Sequence, residues 1–298
     1  RACDNCALQA LPPNFVKHAL SLEKKEQTRI PKIIIQTSKN LPESALSWIL
    51  ANPAYSYMYF DDTQMMGTLI RYLRTVSNDN TWIVSFLKKL SKREKNDLFR
   101  YIAVYEYGGI YADSDVQCLV PIEEWLLRYH VLDQADMIVG IEHTQTMYSN
   151  PFQLVQSTFA ATAHNPILRR MIDTYIHLIS KEQSFDLRYS ENKGAIIFTR
   201  TILMYVIEHS PKSDKSLVGK HITRSSSFSL LDDLQYPNDI ISPMNLLDEF
   251  GQFLTCKDDN NTVSLSILPF RAFGINSHSL QPFASISPRA QQLAQAVL

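Results

Sequence analysis

Residues 108–116 read GGIYADSDV, and this stretch decides how the rest of the chain is interpreted. Two glycines precede a short apolar run, which ends in two aspartates one residue apart. In a β-strand, side chains at positions i and i+2 point to the same face. If the strand continued through both aspartates, Asp113 and Asp115 would project side by side.

Two carboxylates at this spacing repel each other, and one would take up a proton unless a cation or a basic partner compensated. A divalent ion with hard oxygen ligands is the most economical compensation, so Mn²⁺ or Mg²⁺ is the expected cofactor. The alternative is an ordinary solvated turn, since Asp and Ser are common in turns. The surrounding sequence has to decide between a metal site and a turn.

The composition excludes some classes of function. The 298 residues are 45% hydrophobic, which is enough for a core, and the net charge of −1 gives no basic surface for nucleic acid. The sequence contains no apolar run long enough to span a bilayer. The chain begins at Arg1, so we expect any signal or anchor to lie upstream of it.

Four cysteines are present, and they allow three pairings that the sequence does not distinguish. A secretory compartment would favour pairing of Cys3, Cys6, Cys118 and Cys256. The N-x-T sequon at 260–262 gives weak support for such a compartment.

Apolar patterns of strand and helix length alternate along the chain. Strands are predicted at 32–37, 55–60, 110–112, 137–141 and 264–268. Helices are predicted at 14–27, 43–50, 62–74, 82–90, 92–107, 166–179 and 195–207, with Asp61 or Asp62 capping the third. This alternation predicts an α/β sheet whose ligands bind at the carboxyl ends of its strands, where the two aspartates lie. Residues 1–30 are interpreted as a stem or lead-in segment and residues 31–298 as one domain.

The helix before the motif carries Asp97 and Arg100, three residues apart and therefore on one face, with Tyr101 beside them. An acid can accept hydrogen bonds from sugar hydroxyls, and a cation can bind a diphosphate. The alternative is an ordinary surface ion pair, which would contribute little.

Ordered blocks of sequence accompany these residues. They are IPKIIIQT at 30–37, Trp48 with Asn-Pro at 52–53, Asp-Asp at 61–62, NDLFRY at 96–101 and GGIYADSDV. In this order they resemble the D-x-D glycosyltransferases of glycosyltransferase family 32, the family of the yeast Golgi initiation-specific α-1,6-mannosyltransferases. Stretches at 139–142, 156–166 and 198–199 resemble later blocks of that family, so the resemblance covers about residues 30–275.

The resemblance implies a GT-A nucleotide-sugar-binding fold with a central mixed, mostly parallel sheet flanked by helices. It also implies retaining, Mn²⁺- or Mg²⁺-dependent transfer of a hexose. The favoured donor is GDP-mannose, with a UDP-sugar as the alternative, and the acceptor is a glycan, glycoprotein or glycolipid. The implied location is the Golgi or another secretory-pathway lumen, with a type II membrane anchor absent from this chain. The resemblance is compatible with a homo-oligomer and with a hetero-oligomer that includes other glycosyltransferases.

By position, the resemblance assigns roles to individual residues. Asp113 and Asp115 correspond to the catalytic carboxylates that bind the metal, and His278 is a weaker candidate ligand. The candidate donor-binding residues are Ile35, Gln36, Asp97, Arg100, Tyr101, Gly109 and Asp113, with the backbone near Ile35 and Gln36 as the base-binding edge. The candidate acceptor-site residues are Glu142 and His143, at the end of a predicted strand.

The chain also departs from the family pattern. Ile35 stands where members often carry His, and residues 193–195 read Lys-Gly-Ala where they carry Thr-Gly-Pro. The terminal His and Gly-Ser/Thr-Trp block is not found before Leu298. The alternative function is therefore a degenerate, non-catalytic nucleotide-sugar-binding or complex subunit. An aspartyl-phosphate phosphatase is disfavoured, because Gln117 stands where that motif needs Thr or Val.

Overall fold

The structure is a computed structural model that describes residues 14–16, 29–124, 135–143, 153–180, 193–209, 252–258 and 261–268. Within these ranges the chain forms one sheet of nine strands. They are β1 Asn14–Val16, β2 Ile33–Thr37, β3 Ser56–Phe60, β4 Gly109–Ala112, β5 Met137–His143, β6 Gln153–Leu154, β7 Thr158–Ala161, β8 Gln252–Asp258 and β9 Asn261–Leu268.

The strand order is β1-β3-β2-β4-β7-β5-β9-β8, and β6 pairs with β5. The pairings β2–β3, β2–β4 and β5–β9 are parallel, while β7 runs antiparallel between β4 and β5. Strands β2, β3, β4, β5 and β9 therefore all run in one direction. The predicted α/β fold with a mixed sheet is confirmed, and these five strands form its parallel set.

Six helices whose bounds lie wholly within the described ranges accompany the sheet. They are α1 Ala45–Ala51, α2 Asp62–Val76, α3 Asn80–Lys89, α4 Lys92–Tyr107, α5 Pro166–Ser180 and α6 Lys193–His209. Asp61 caps α2 as predicted: its side chain accepts a hydrogen bond from the Gln64 backbone, and the Gln64 side chain accepts one from Asp61 N. None of these helices is both long and apolar enough to cross a bilayer.

The helices cover the sheet unequally. Helices α2 to α6 contribute to a large core on one face, which includes Ile35, whereas α1 packs on the other face in a smaller core that includes Ile34. Successive side chains of β2 point to opposite faces of the sheet, and both faces are covered by a core, so both isoleucines are fully buried. This explains why the strand reads as a continuous apolar run.

Some sequence predictions were wrong or incomplete. Residues 14–16 were predicted as the start of a helix but form β1, which pairs with β3 at the edge of the sheet, so tertiary pairing overrides the local pattern. Strands β6, β7 and β8 were not predicted. The boundary between a stem and a domain near residue 30 stays a prediction.

The connection from α4 to β4 depends on two glycines. Gly108 ends the helix with φ 66° and Gly109 follows with φ 101°, a region that other residues rarely adopt. A Cβ on Gly109 would overlap the carbonyl oxygen of Ile33 and lie 2.9 Å from its Cβ. Gly109 therefore lets β4 lie against β2, which sets the position of the residues that follow.

We expect Gly109→Ala to destabilise the fold by about 3 kcal/mol, because it combines a strained φ with overlap against backbone. Urea unfolding would measure this loss. The control is Gly67→Ala inside α2, which should change the free energy of unfolding by no more than about 1 kcal/mol, in the stabilising direction. Equal effects of the two substitutions would contradict this explanation.

Candidate functional site

The two aspartates lie in a turn that follows β4. The strand ends at Ala112; Asp113 N donates to Ser157 O at 2.8 Å and Val116 N donates to Asp113 O at 3.0 Å. The strand therefore does not continue through both aspartates, and the predicted strand end at residue 112 is confirmed. The antiparallel ladder with β7 runs out at the pair Ala112–Thr158, and Asp and Ser favour a turn there.

The turn is nevertheless not simply solvated. The Asp113 side chain is 27% exposed and forms an ion pair with Arg100, whereas Asp115 is exposed. The turn lies at the carboxyl end of β4, which is the edge where α/β sheets bind ligands. The structure thus combines the turn with a partly buried carboxylate.

Arg100 is the centre of a buried charged cluster. Its Nη2 lies 3.0 Å from Asp97 Oδ1 and 3.2 Å from Asp113 Oδ1, and its Nη1 donates to Gln156 O at 3.0 Å. Residue exposures are 6% for Arg100 and 2% for Asp97, so their i,i+3 pair is not the surface salt bridge that the sequence left open. Buried ion pairs of this kind are weak evidence for stability, because the cost of desolvating the charges can exceed their mutual attraction.

Tyr111 fixes the orientation of Asp113. Its hydroxyl donates to Asp113 Oδ1 at 2.8 Å, and its ring faces the Arg100 guanidinium at 5.2 Å. The Tyr111 hydroxyl and the Arg100 guanidinium both contact Oδ1 of Asp113. Within the described part of the chain, the other carboxylate oxygen of Asp113 is therefore available to a ligand. Tyr111 was not predicted as a site residue, although it lies inside the motif.

The electrostatics of the cluster follow from its burial. Burial raises the pKa of Asp113, and the Arg100 charge and the Tyr111 hydrogen bond oppose that rise. Burial also raises the pKa of Asp97, again opposed by Arg100. For Arg100 itself, burial is outweighed by Tyr111, Asp113 and Asp97, so its pKa is raised and the guanidinium stays charged.

The start of α6 closes over Asp97. A Cβ on Gly194 would overlap Asp97 Oδ2 and lie 2.7 Å from Asp97 Cγ. The Tyr101 hydroxyl donates to Gln156 Oε1 at 2.7 Å and lies 3.3 Å from Gly194 O. Gln156 and Gly194 are therefore members of the cluster. Neither was predicted as a site residue: Gln156 was part of a later sequence block, and Gly194 belonged to a departure from the family pattern.

The other predicted donor residues are mostly buried. No surface is exposed at Ile35, Gln36 or Tyr101. The Ile35 side chain therefore belongs to the core, and Tyr101 contacts the charged cluster through its hydrogen bond to Gln156. Gly109 serves the close approach of two strands. The side-chain amide of Gln36 donates to Asp113 O at 3.0 Å, which places it directly beneath the turn.

The remaining predictions concern the acceptor site, the weaker metal-ligand candidate and the cysteines. Glu142 is partly exposed and accepts a hydrogen bond from Gln153 at 2.6 Å, while the backbone of His143 ends β5. His278 lies outside the described residues. Cys118 is a free, buried thiol, and burial raises its pKa to about 11.

The residues of the turn can hold a cation in part. Asp115 offers an exposed carboxylate and Asp113 offers its second oxygen, which are suitable hard ligands. No group of three or more metal-ligating side chains occurs among the described residues. Phosphate oxygens and water would have to complete the coordination, as is common for Mg²⁺ and Mn²⁺ sites.

We expect Asp97→Asn to change how stability depends on pH. Because folding raises the pKa of Asp97, the native state keeps its proton to higher pH than the unfolded chain, and stability is lost as pH rises from 3.8 through the raised value. Asn cannot titrate. The stability of the unsubstituted chain relative to the variant should therefore fall across this window, as urea unfolding from pH 4 to 7 would show. A pH-independent difference would contradict the assignment.

Part of the chain matches a known protein family. Residues 38–132 match the family described as "Glycosyltransferase sugar-binding region containing DXD motif". That match covers α1 to α4, β4 and both aspartates. A solved structure titled "PaToxG Glycosyltransferase" is similar with a TM-score of 0.40 and 16% identity, over 59% of this chain and 69% of the other.

Several curated fungal proteins are similar in sequence. The initiation-specific α-1,6-mannosyltransferase of Schizosaccharomyces pombe is 29% identical over 57% of this chain and 44% of its own length. The inositol phosphoceramide mannosyltransferase 3 of the same species is 30% identical over 50% and 43%. The initiation-specific enzyme of Saccharomyces cerevisiae is 24% identical over 82% and 65%.

The chain thus spans about half the length of the curated relatives it matches first. The predicted resemblance is confirmed: residues 38–132 match the DXD-containing sugar-binding region of a glycosyltransferase family, and the chain is similar in sequence to initiation-specific α-1,6-mannosyltransferases.

Proposed function

We propose that this chain is a metal-dependent, retaining glycosyltransferase that moves mannose from GDP-mannose onto a glycan or glycoconjugate acceptor. The observation that carries the proposal is the exposed Asp115 beside Asp113, whose carboxylate is held at the carboxyl edge of the sheet by a buried arginine. The names of the mannosyltransferase relatives support the sugar. We also propose that the protein acts in the Golgi or another secretory compartment.

Asp113 and Asp115 would hold Mn²⁺ or Mg²⁺ together with the donor diphosphate. When bound, the cation would supply Lewis-acid stabilisation of the charge that builds on the leaving diphosphate. Arg100 keeps Asp113 in place, and its charge is balanced by the carboxylates of Asp97 and Asp113, so the bound cation would supply the positive charge that the diphosphate meets. This arrangement is suited to an anionic leaving group.

Asp97 and Arg100 are the proposed contacts for the donor sugar and ribose. In the structure, Asp97 is closed against Gly194, and Arg100 against Gln156. A donor that reaches Asp97 must therefore displace the start of α6, and one that reaches Arg100 must displace the segment at Gln156. We propose that the acceptor hydroxyl then attacks from the donor's own face, with Glu142 and His143 on the acceptor side.

A degenerate, non-catalytic nucleotide-sugar-binding subunit is the second candidate. The observation that favours it is the absence of a third metal-ligating side chain near the turn among the described residues. A binding subunit would take up the donor without releasing the nucleoside diphosphate. An active transferase would release it, and only with metal present.

The test is a panel of nucleotide sugars assayed with and without Mn²⁺, by thermal stabilisation and by nucleoside diphosphate release. GDP-mannose at 100 times its dissociation constant should stabilise the native state by about 2.7 kcal/mol through mass action. Asp115→Ala should abolish the metal-dependent stabilisation. Because Asp115 is exposed, its removal should change the free energy of unfolding by no more than about 0.5 kcal/mol.

Glu124→Ala is the matched control, since it removes another exposed carboxylate from the segment that follows β4. It should leave the metal-dependent stabilisation intact. Donor stabilisation that persists in Asp115→Ala with Mn²⁺ present would refute the proposed metal site. Stabilisation without diphosphate release would select the non-catalytic alternative.

A further inference from the structure

We infer that Gln36 is a positioning residue for the metal-binding turn, acting through the backbone of Asp113 and Ser114. The inference rests on the proposed function, because it concerns how the same site is held. Gln36 lies near the end of β2, and its side chain is fully buried between the strand and the turn. It therefore acts from beneath the turn.

Each polar atom of the Gln36 amide has a partner. Nε2 donates to Asp113 O at 3.0 Å and to Ser44 Oγ at 3.1 Å. Oε1 accepts a hydrogen bond from the Tyr57 hydroxyl at 2.8 Å. The amide thus links three parts of the chain: β3, the N-terminal end of α1 and the turn.

The direction of every bond in this network is determined. The Ser44 hydroxyl donates its single proton to Ser114 O at 2.8 Å, so it can only accept from Gln36. Asp113 O is a carbonyl and can also only accept. Both acceptors require the nitrogen of the amide on the side of the turn, which leaves the oxygen for Tyr57.

The consequence concerns the two carbonyls that precede Asp115. Asp113 O and Ser114 O are both held by this network, directly by Gln36 and through Ser44. The peptide planes that lead to Asp115 are therefore fixed. Asp115 is exposed and has no surrounding core to orient it, so its placement depends on its backbone. Supporting groups of this kind determine how well a site is preorganised.

A separate set of contacts holds the chain after the turn. The Trp48 indole donates to Val116 O at 2.8 Å, and the Asn52 amide accepts from Ile122 N at 2.8 Å and donates to Cys118 Sγ at 3.4 Å. Asn52 is buried like Gln36 but supports residues 118–122. It offers a matched control that carries the same chemical group.

The experiment compares Gln36→Met with Asn52→Leu in the full chain. Each change removes a buried amide without adding a charge, and both should lower the melting temperature. The readouts are a Mn²⁺ titration in the presence of GDP and the electron paramagnetic resonance spectrum of the bound ion. Gln36→Met should weaken Mn²⁺ binding about tenfold and alter the spectrum of the bound ion. Asn52→Leu should stay within about twofold, with an unchanged spectrum.

Tyr57→Phe provides a second variant if Gln36→Met does not fold. It removes only the hydroxyl that orients the amide, and it should weaken Mn²⁺ binding about threefold. If Gln36→Met binds Mn²⁺ as tightly as the unsubstituted chain does, the inference is overturned and the proposed function still stands. If Gln36→Met does not fold, the same result for Tyr57→Phe has the same meaning. Equal losses in Gln36→Met and Asn52→Leu would also overturn it. Absence of Mn²⁺ binding in the unsubstituted chain would overturn both.

Discussion

The buried Arg100 guanidinium is the constraint on which the rest of the site depends. A charge with so little exposure must be compensated, and the chain compensates it with two carboxylates and a backbone carbonyl. Those partners come from α4 itself, from the turn after β4 and from the segment before β7. One side chain therefore ties three separate parts of the chain to one point at the edge of the sheet.

The order of the strands brings these three parts of the chain to the same edge of the sheet. β7 runs antiparallel beside β4, so the residues before β7 reach the same edge as the residues after β4. Gln156 O and Ser157 O thereby contact Arg100 and the backbone of Asp113. The parallel neighbour β2 delivers Gln36 to the turn from the other side. The site is thus assembled from the ends of three adjacent strands.

Much of this fold could be predicted from local sequence. β2 and α4 have strong apolar patterns, and the glycines at 108 and 109 mark the change from helix to strand. The i,i+3 spacing also placed Asp97 and Arg100 together. Their burial could not be predicted, because it depends on Gln156 and Gly194, which are distant in sequence. The strand end at Ala112 was predicted, but the turn at Asp113 was only one of two alternatives, because it is held by the pairing with β7, a strand with no local signal.

In the proposed function, Asp113 and Asp115 together bind a cation that anchors a pyrophosphate. The most direct measurement is the anomalous scattering of a crystal soaked with Mn²⁺ and GDP. We expect one manganese peak in contact with the side chains of both aspartates and with the diphosphate oxygens. A bound nucleotide with no ion between these carboxylates, and with their side chains turned away, would contradict it.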